Sequence, residues 1–95
     1  MDRNKVDYED RFLEKKEFLI KKFGYFLGKD IEFAVSRIRE YSIPPQTSGW
    51  HTLKEFSNRE KIVGTRSITD EDRIVYEFFP KKKLVVFTNC LDHMY

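Results

Sequence analysis

From Lys61 to Cys90 the chain alternates β-branched and aromatic runs with polar clusters: KIVGTRSI, TDED, RIVYEFF, PKKK, LVVFTNC. Valine, isoleucine, threonine and aromatic residues suit a pleated, half-buried surface, whereas Asp, Pro and consecutive lysines interrupt one, so this stretch reads as strands joined by tight turns. Upstream, Trp50 to Phe56 is a further strand-like run, set off from Lys61 by Ser57-Asn58-Arg59-Glu60. The expected strands are therefore Trp50 to Phe56, Lys61 to Ile68, Arg73 to Phe79 and Leu84 to Cys90. Such a meander leaves an apolar face that another layer must cover.

The first half of the chain supplies that layer. From about Tyr8 to Phe23, the residues Phe12, Leu19, Phe23 and then Phe26 fall near a helical spacing, and Leu13, Phe18 and Leu27 widen the stripe. Gly24 is placed to cap this helix at its C-terminus. A second helix is expected from about Asp30 to Tyr41, where Ile31, Ala34, Val35, Ile38 and Tyr41 form an i, i+3, i+4, i+7 stripe and Asp30 sits at the favourable N-terminal end. Pro44-Pro45 stops it, and Gln46 to Gly49 turn the chain toward Trp50. Two helices followed by strands make an α+β domain, a helical hairpin packed on a twisted, mainly antiparallel sheet of about four strands. Residues 1–95 fit one domain, with no internal repeat and no low-complexity linker.

Charge narrows the functional classes. The net charge of +2 is spread evenly, with ten Lys/Arg against nine Asp/Glu through Ser48 and eight against seven after it. A general duplex binder carries a basic domain or stripe, so any nucleic-acid site here is a local cluster on a mixed surface. Lys15-Lys16 and Lys21-Lys22 read as a solvated helix face. The single cysteine, Cys90, excludes an internal disulfide and fits a reducing compartment. No run approaches the roughly 18 apolar residues of a membrane span, and MDRNKVDYEDR lacks the apolar segment of a secretory signal, so a cytoplasmic protein is expected.

The turns determine which side chains share a face. A two- or four-residue turn sets Ile68 opposite Arg73, Arg66 opposite Val75, Thr65 opposite Tyr76 and Val63 opposite Phe78, and residues in opposite positions share a face. The same rule at Pro80 to Lys83 pairs Phe79 with Leu84, Phe78 with Val85 and Tyr76 with Phe87. One face then reads Val63, Thr65, Ile74, Tyr76, Phe78, Val85 and Phe87, the side to be covered by helices. The other gathers Arg66, Ile68, Arg73, Val75, Glu77, Val86, Thr88 and Cys90, with two guanidinium groups on one diagonal. An odd-length turn would flip the register and separate them. Those arginines either pair with Glu77 and the turn acids or bind phosphate.

Other chemistries find no support in the spacing. Two histidines, His51 and His93, and one cysteine make no metal-ligand set, and no metal or cofactor is expected. Cys90 reads as a strand residue rather than a nucleophile. There is neither a glycine-rich phosphate loop nor a nucleophile elbow. Trp50 either stacks on a base or packs into the core.

The stretch RSITDEDRIVY, the following strand that runs into NCLDHMY and the upstream LKEF resemble the YoeB/Txe branch of the RelE-like bacterial toxins. That branch shows an LK segment, an RRIT-acid-acid-x-R-hydrophobic-V/I-Y hairpin, and a strand closing on His-Tyr. The likeness spans residues 50–95, and the preceding helix pair agrees in order and length. It implies a RelE/YoeB-like microbial RNase fold and the toxin of a type II toxin–antitoxin system. Such a toxin is a metal-independent endoribonuclease that cleaves mRNA in the ribosomal A site, arrests growth and is held inactive by a cognate antitoxin. Ribosome, mRNA and antitoxin are then the partners, a homodimer is allowed, and a membrane is not involved. By the same resemblance Arg73 binds the scissile phosphate, His93 is the general acid for the leaving oxygen, Tyr95 shapes the site, and Lys54 is the basic residue of the LK segment. A short opening strand is also implied, and Lys5 to Asp7 is the stretch available for it.

The chain departs from that pattern in three places. The tandem arginine is Arg66-Ser67, the position of the family's glutamate base is His51 with Glu55 the nearest acid, and Met94 separates His93 from Tyr95. Metal-free RNA cleavage needs a base for the 2′-hydroxyl, an acid for the leaving oxygen, and cations for the phosphorane. With an unperturbed pKa of about 6.5, histidine suits either proton role. His51 and His93 are thus a candidate base–acid pair, with Glu55 the rival base and Arg66, Lys54 and Trp50 candidate RNA contacts. The alternative is a toxin-fold binding module without RNase activity, acting on a protein as the ParE branch does or binding only its antitoxin.

Overall fold

The computed structural model describes residues 3–40 and 49–92. The chain opens with β1 (Lys5–Tyr8) and continues through α1 (Asp10–Phe23) and α2 (Tyr25–Glu40). β2 (Trp50–Thr52), β3 (Ile62–Ser67), β4 (Asp72–Phe79) and β5 (Leu84–Asp92) follow, with 3₁₀ turns at Lys54–Phe56 and Pro80–Lys82. The five strands form one sheet in the order β1-β5-β4-β3-β2, antiparallel except for β1 against β5. The α+β expectation holds, with five strands rather than about four. Lys5 to Asp7 does form the opening strand, extended by Tyr8.

Both helix starts differ from expectation. α1 begins at Asp10 because Tyr8 belongs to β1, where its ring stacks on Phe12 and Phe87. α2 begins at Tyr25, five residues before Asp30, because Gly24 alone separates the helices. Gly24 has φ 92°, and its N–H donates to the Ile20 carbonyl, as the C-cap reading requires. Gly28 lies inside α2, where a Cβ would stand 3.4 Å from Ile20 Cδ1, an ordinary contact distance. The second helix's expected end at Tyr41 and the stop at Pro44-Pro45 lie outside the described residues.

The core lies between the helices and one face of the sheet. Phe12, Leu19, Leu27, Ile31, Ala34, Val35 and Ile38 meet Trp50, Ile74, Tyr76, Phe78, Val85, Phe87 and Cys90. Full burial of one such large apolar side chain stabilises by about 1.5–3 kcal/mol, so this cluster dominates the fold. The predicted pairs Phe79–Leu84, Phe78–Val85 and Tyr76–Phe87 are all present.

The β3–β4 register is the main correction. Ser67 stands opposite Arg73, Arg66 opposite Ile74, Thr65 opposite Val75 and Val63 opposite Glu77, one residue away from the expected pairing. The cause is a turn of odd length. Ile68 N–H donates to the Asp72 carbonyl, leaving Thr69-Asp70-Glu71 as a three-residue loop. The Thr69 hydroxyl clamps it, accepting from the N–H groups of Glu71 and Asp72 and donating to the Asp72 carboxylate. Since side chains alternate, this one-residue shift turns all of β3 over. Val63 and Thr65 move to the outer face, and Arg66 moves to the helix side. A β-bulge does the same to the end of β5. Val75 pairs with Asn89 but Tyr76 with Phe87, so Thr88 is the extra residue and Cys90 turns into the core.

β2 is also shorter than Trp50 to Phe56. After Thr52 the chain leaves the sheet, and the Ser57 hydroxyl takes over, donating to the Leu53 carbonyl and accepting from Val63 N–H, both at 2.9 Å. This bridge folds Lys54–Phe56 into a 3₁₀ turn beside β3. Asn58 closes the next bend by accepting from the N–H groups of Glu60 and Lys61.

Candidate functional site

The sheet face away from the helices carries the cluster of interest. Alternation places His51, Thr65, Val75 and Asn89 in one row across β2, β3, β4 and β5, with Ser67 and Arg73 in register beside it. Where β2 gives way to the 3₁₀ turn, a cleft of about 430 Å³ opens, lined by Thr52, Leu53, Lys54, Glu55, Phe56 and Arg73. Lys54, Glu55 and Phe56 are exposed, and Arg73 is half-buried on β4. The early exit of the chain from β2 makes this wall; a strand continuing to Phe56 would have sent alternate side chains to the helix side.

Two cations and one carboxylate in a cleft with apolar walls suit a polyanion that must also give up a proton. Arg73 presents a planar fork that matches phosphate, and Lys54 adds a mobile point charge. Glu55 is a carboxylate beside them. His51 is exposed on the same face. Two strand spacings across and two residues along put the His51 and Arg73 Cα atoms roughly 12 Å apart, so both can flank one extended substrate rather than touch each other.

Arg66 and Trp50 lie elsewhere. The Arg66 guanidinium donates to Asp30 Oδ2 on α2 and to the Ser67 carbonyl, both at 2.8 Å, and sits 5.9 Å from the centre of the Trp50 ring. The Arg66 side chain is only 16% exposed. Trp50 is buried in the core, edge-on to Tyr76. The expected arginine pair on one face is therefore absent: Arg73 faces the cleft and Arg66 ties the sheet to a helix. Glu77, an expected partner for either arginine, pairs with Lys61 at 2.9 Å. His93, Met94 and Tyr95 lie outside the described residues. The strand leading to them brings Leu91 opposite Arg73 and Asp92 opposite Asp72.

Three contributors to this face escape a reading by spacing. Phe56 has the spacing of a strand residue, and nothing in its local pattern announces a 3₁₀ turn. Thr65 was expected under the helices; its hydroxyl is instead buried on the outer face and makes no hydrogen bond among the described residues. Ser67 is drawn beside Arg73 by the odd-length turn. Cys90, by contrast, is the strand residue it was expected to be, its thiol pushed up to about 12 chiefly by burial. Among the described residues no group of three or more His, Cys, Asp or Glu is placed to hold a metal ion, and no helix is long and apolar enough to cross a membrane.

No family model matches the chain, and no curated protein does. Among solved structures, a chain of the archaeal RelE–RelB complex from Pyrococcus horikoshii superimposes with a TM-score of 0.77 at 10% sequence identity, over 99% of this chain and 98% of that one. A metal-bound toxin from Helicobacter pylori superimposes with a TM-score of 0.65 at 12% identity, over 95% and 94%. Identities this low speak for the backbone and not for the side chains on it. The two helices and five-stranded mixed sheet are the RelE-like toxin fold.

Proposed function

We propose that this protein is the toxin of a type II toxin–antitoxin pair, a metal-independent endoribonuclease of the YoeB kind that cuts mRNA in the ribosomal A site. The observation that carries the reading is the meeting of Arg73, Lys54 and Glu55 in one cleft on the sheet face the helices leave open. Arg73 binds the scissile phosphate and stabilises the phosphorane, and Lys54 holds a neighbouring phosphate. Glu55 takes the 2′-hydroxyl proton; it lines the same cleft as Arg73, which favours it over His51. His93 protonates the leaving oxygen and Tyr95 orients the RNA, roles that rest on the resemblance of the C-terminal segment. The ribosome supplies the message, the protein works in the cytoplasm, and an antitoxin is the partner that silences it.

The test is cleavage of mRNA on programmed ribosomes. Arg73→Ala is expected to lower the rate at saturation by about 10²–10³, the cost of removing one charge stabiliser, and His93→Ala by about 10²–10⁴. Unchanged cleavage in both variants would sink the assignment. A second reading, a ParE-like toxin or binding module acting on a protein, draws support from Ser67. It stands opposite Arg73 where the family's second arginine would add a cation, so the cleft is less basic than in its RNA-cutting relatives. Cells arrested by the protein with their mRNA intact would favour that reading.

A further inference from the structure

We infer that Phe56 is the nucleobase-stacking residue of the cleft, which makes the substrate a single strand with at least one base turned out of its stack. The inference rests on the RNA reading of the same cleft. Phe56 is 57% exposed, ends the 3₁₀ turn that carries Lys54 and Glu55, and lies outside the core cluster. It lines the cleft together with Arg73. An isolated exposed phenylalanine means little. One that shares a cleft with two cations gives a π-face beside phosphate-binding groups, the combination that holds single-stranded nucleic acid.

The geometry also removes the rival. Trp50 is the larger ring and the one whose position in the sequence invites base stacking, but it is 8% exposed, its edge is packed on Tyr76 and the Arg66 guanidinium lies over it. Its ring cannot receive a base without dismantling the core. Among the described residues that line the cleft, the aromatic one is Phe56. Stacking on a phenyl face needs no hydrogen-bond pattern, so this residue adds affinity and base orientation without reading sequence. Arg73 and Lys54 add affinity but cannot orient a base, since phosphates look alike along the strand.

Cleavage on programmed ribosomes, with full-length Phe56→Ala, Phe56→Leu and Phe56→Trp beside Arg73→Ala, tests this. Phe56→Ala should raise the half-saturating concentration about tenfold, with the rate at saturation changed less than about threefold. Phe56→Trp should restore wild-type behaviour, and Phe56→Leu, apolar but without a ring face, should resemble alanine. The thermal midpoint should move little, because the side chain is more than half exposed. Two results overturn the inference while leaving the RNA reading intact: leucine performing like phenylalanine, or Phe56→Ala behaving as wild type while Arg73→Ala loses rate. If the wild type cleaves nothing, both fall together.

Discussion

The same guanidinium group meets two different environments at Arg66 and Arg73. Arg66 is nearly enclosed, with a carboxylate of α2 at one end and an indole at its face, so its charge is spent on holding β3 to the helix layer. Removing it strands Asp30 and uncovers Trp50. Arg66→Ala should lower the unfolding free energy by about 1–3 kcal/mol, since one partner of the pair is still partly solvated, without changing the denaturant slope. Its rate of cleavage at saturation should stay within about threefold of wild type. A variant of normal stability that has lost activity would instead make Arg66 an RNA ligand. Gly64 belongs to the same local arrangement. A Cβ there would collide with the Tyr76 ring and hydroxyl and lie 2.9 Å from the His51 carbonyl, so the bare backbone is what lets Tyr76 lie flat under β2 and β3.

At the scale of elements, the fold is a set of edges that had to be tied. β1 is one edge of the sheet, and it is anchored by what precedes it: Asn4 is buried, its side-chain amide donates to the Ile38 carbonyl at 3.0 Å, and its N–H donates to the Arg39 carbonyl at 3.0 Å. Asn4 therefore closes the last turn of α2 from outside. Asn4→Ala should cost about 1–3 kcal/mol by leaving a buried carbonyl unpaired, and hydrogen exchange should show the loss concentrated in the end of α2 and the β1–β5 pairing. The elements themselves were legible because their periodicities differ: the stripes through Phe12 and Leu19 and through Ile31 to Ile38 cannot be strands, and RIVYEFF cannot be a helix face. The β4–β5 pairing was legible because its four-residue turn is even. The β3–β4 pairing was not, because the parity of that turn is decided by one hydroxyl, Thr69, whose choice between solvent and the Asp72 backbone leaves no trace in the hydrophobic pattern. That single residue separates Arg66 from Arg73. The cleft was half legible for a related reason: Arg73 and Lys54 follow from the resemblance and Glu55 is the acid nearest the position where the chain departs from it, but Phe56 comes into place only through the Ser57 bridge to Leu53 and Val63.

For the molecule as a whole, the core is sealed against ionisation. Burial pushes the Cys90 thiol from 9.0 up to about 12, with Lys15 and Lys16 opposing weakly and Asp72 reinforcing, and burial drives the Tyr76 phenol well above the usual tyrosine range. In the unfolded chain both groups ionise at ordinary values, so above about pH 9 the folded state holds more protons. These two groups should thus leave stability unchanged below about pH 9 and lower it at higher pH, by about 1.4 kcal/mol per pH unit while one thiol is involved. Urea titrations of wild type and Cys90→Ala between pH 7 and about 10.5 should show that slope in the former and its loss up to about pH 10 in the latter. A parallel decline in both would place the alkaline sensitivity elsewhere.

The strand order β1-β5-β4-β3-β2 has one more consequence, in the time domain. β5 is made after every other described element, yet it sits between β1 and β4 and carries Val85, Phe87 and Cys90 into the core. Until it emerges, the opening strand has no neighbour and the helices have only part of a sheet to lie on. Closing a parallel pair between Lys5–Tyr8 and Leu84–Phe87 spans nearly the whole described chain, the slow kind of contact to form. A nascent chain of this topology cannot complete its sheet until Leu84–Asp92 has left the ribosome that makes it. The open face, whose outer row runs through Asn89 of β5, is therefore the part of the molecule completed latest.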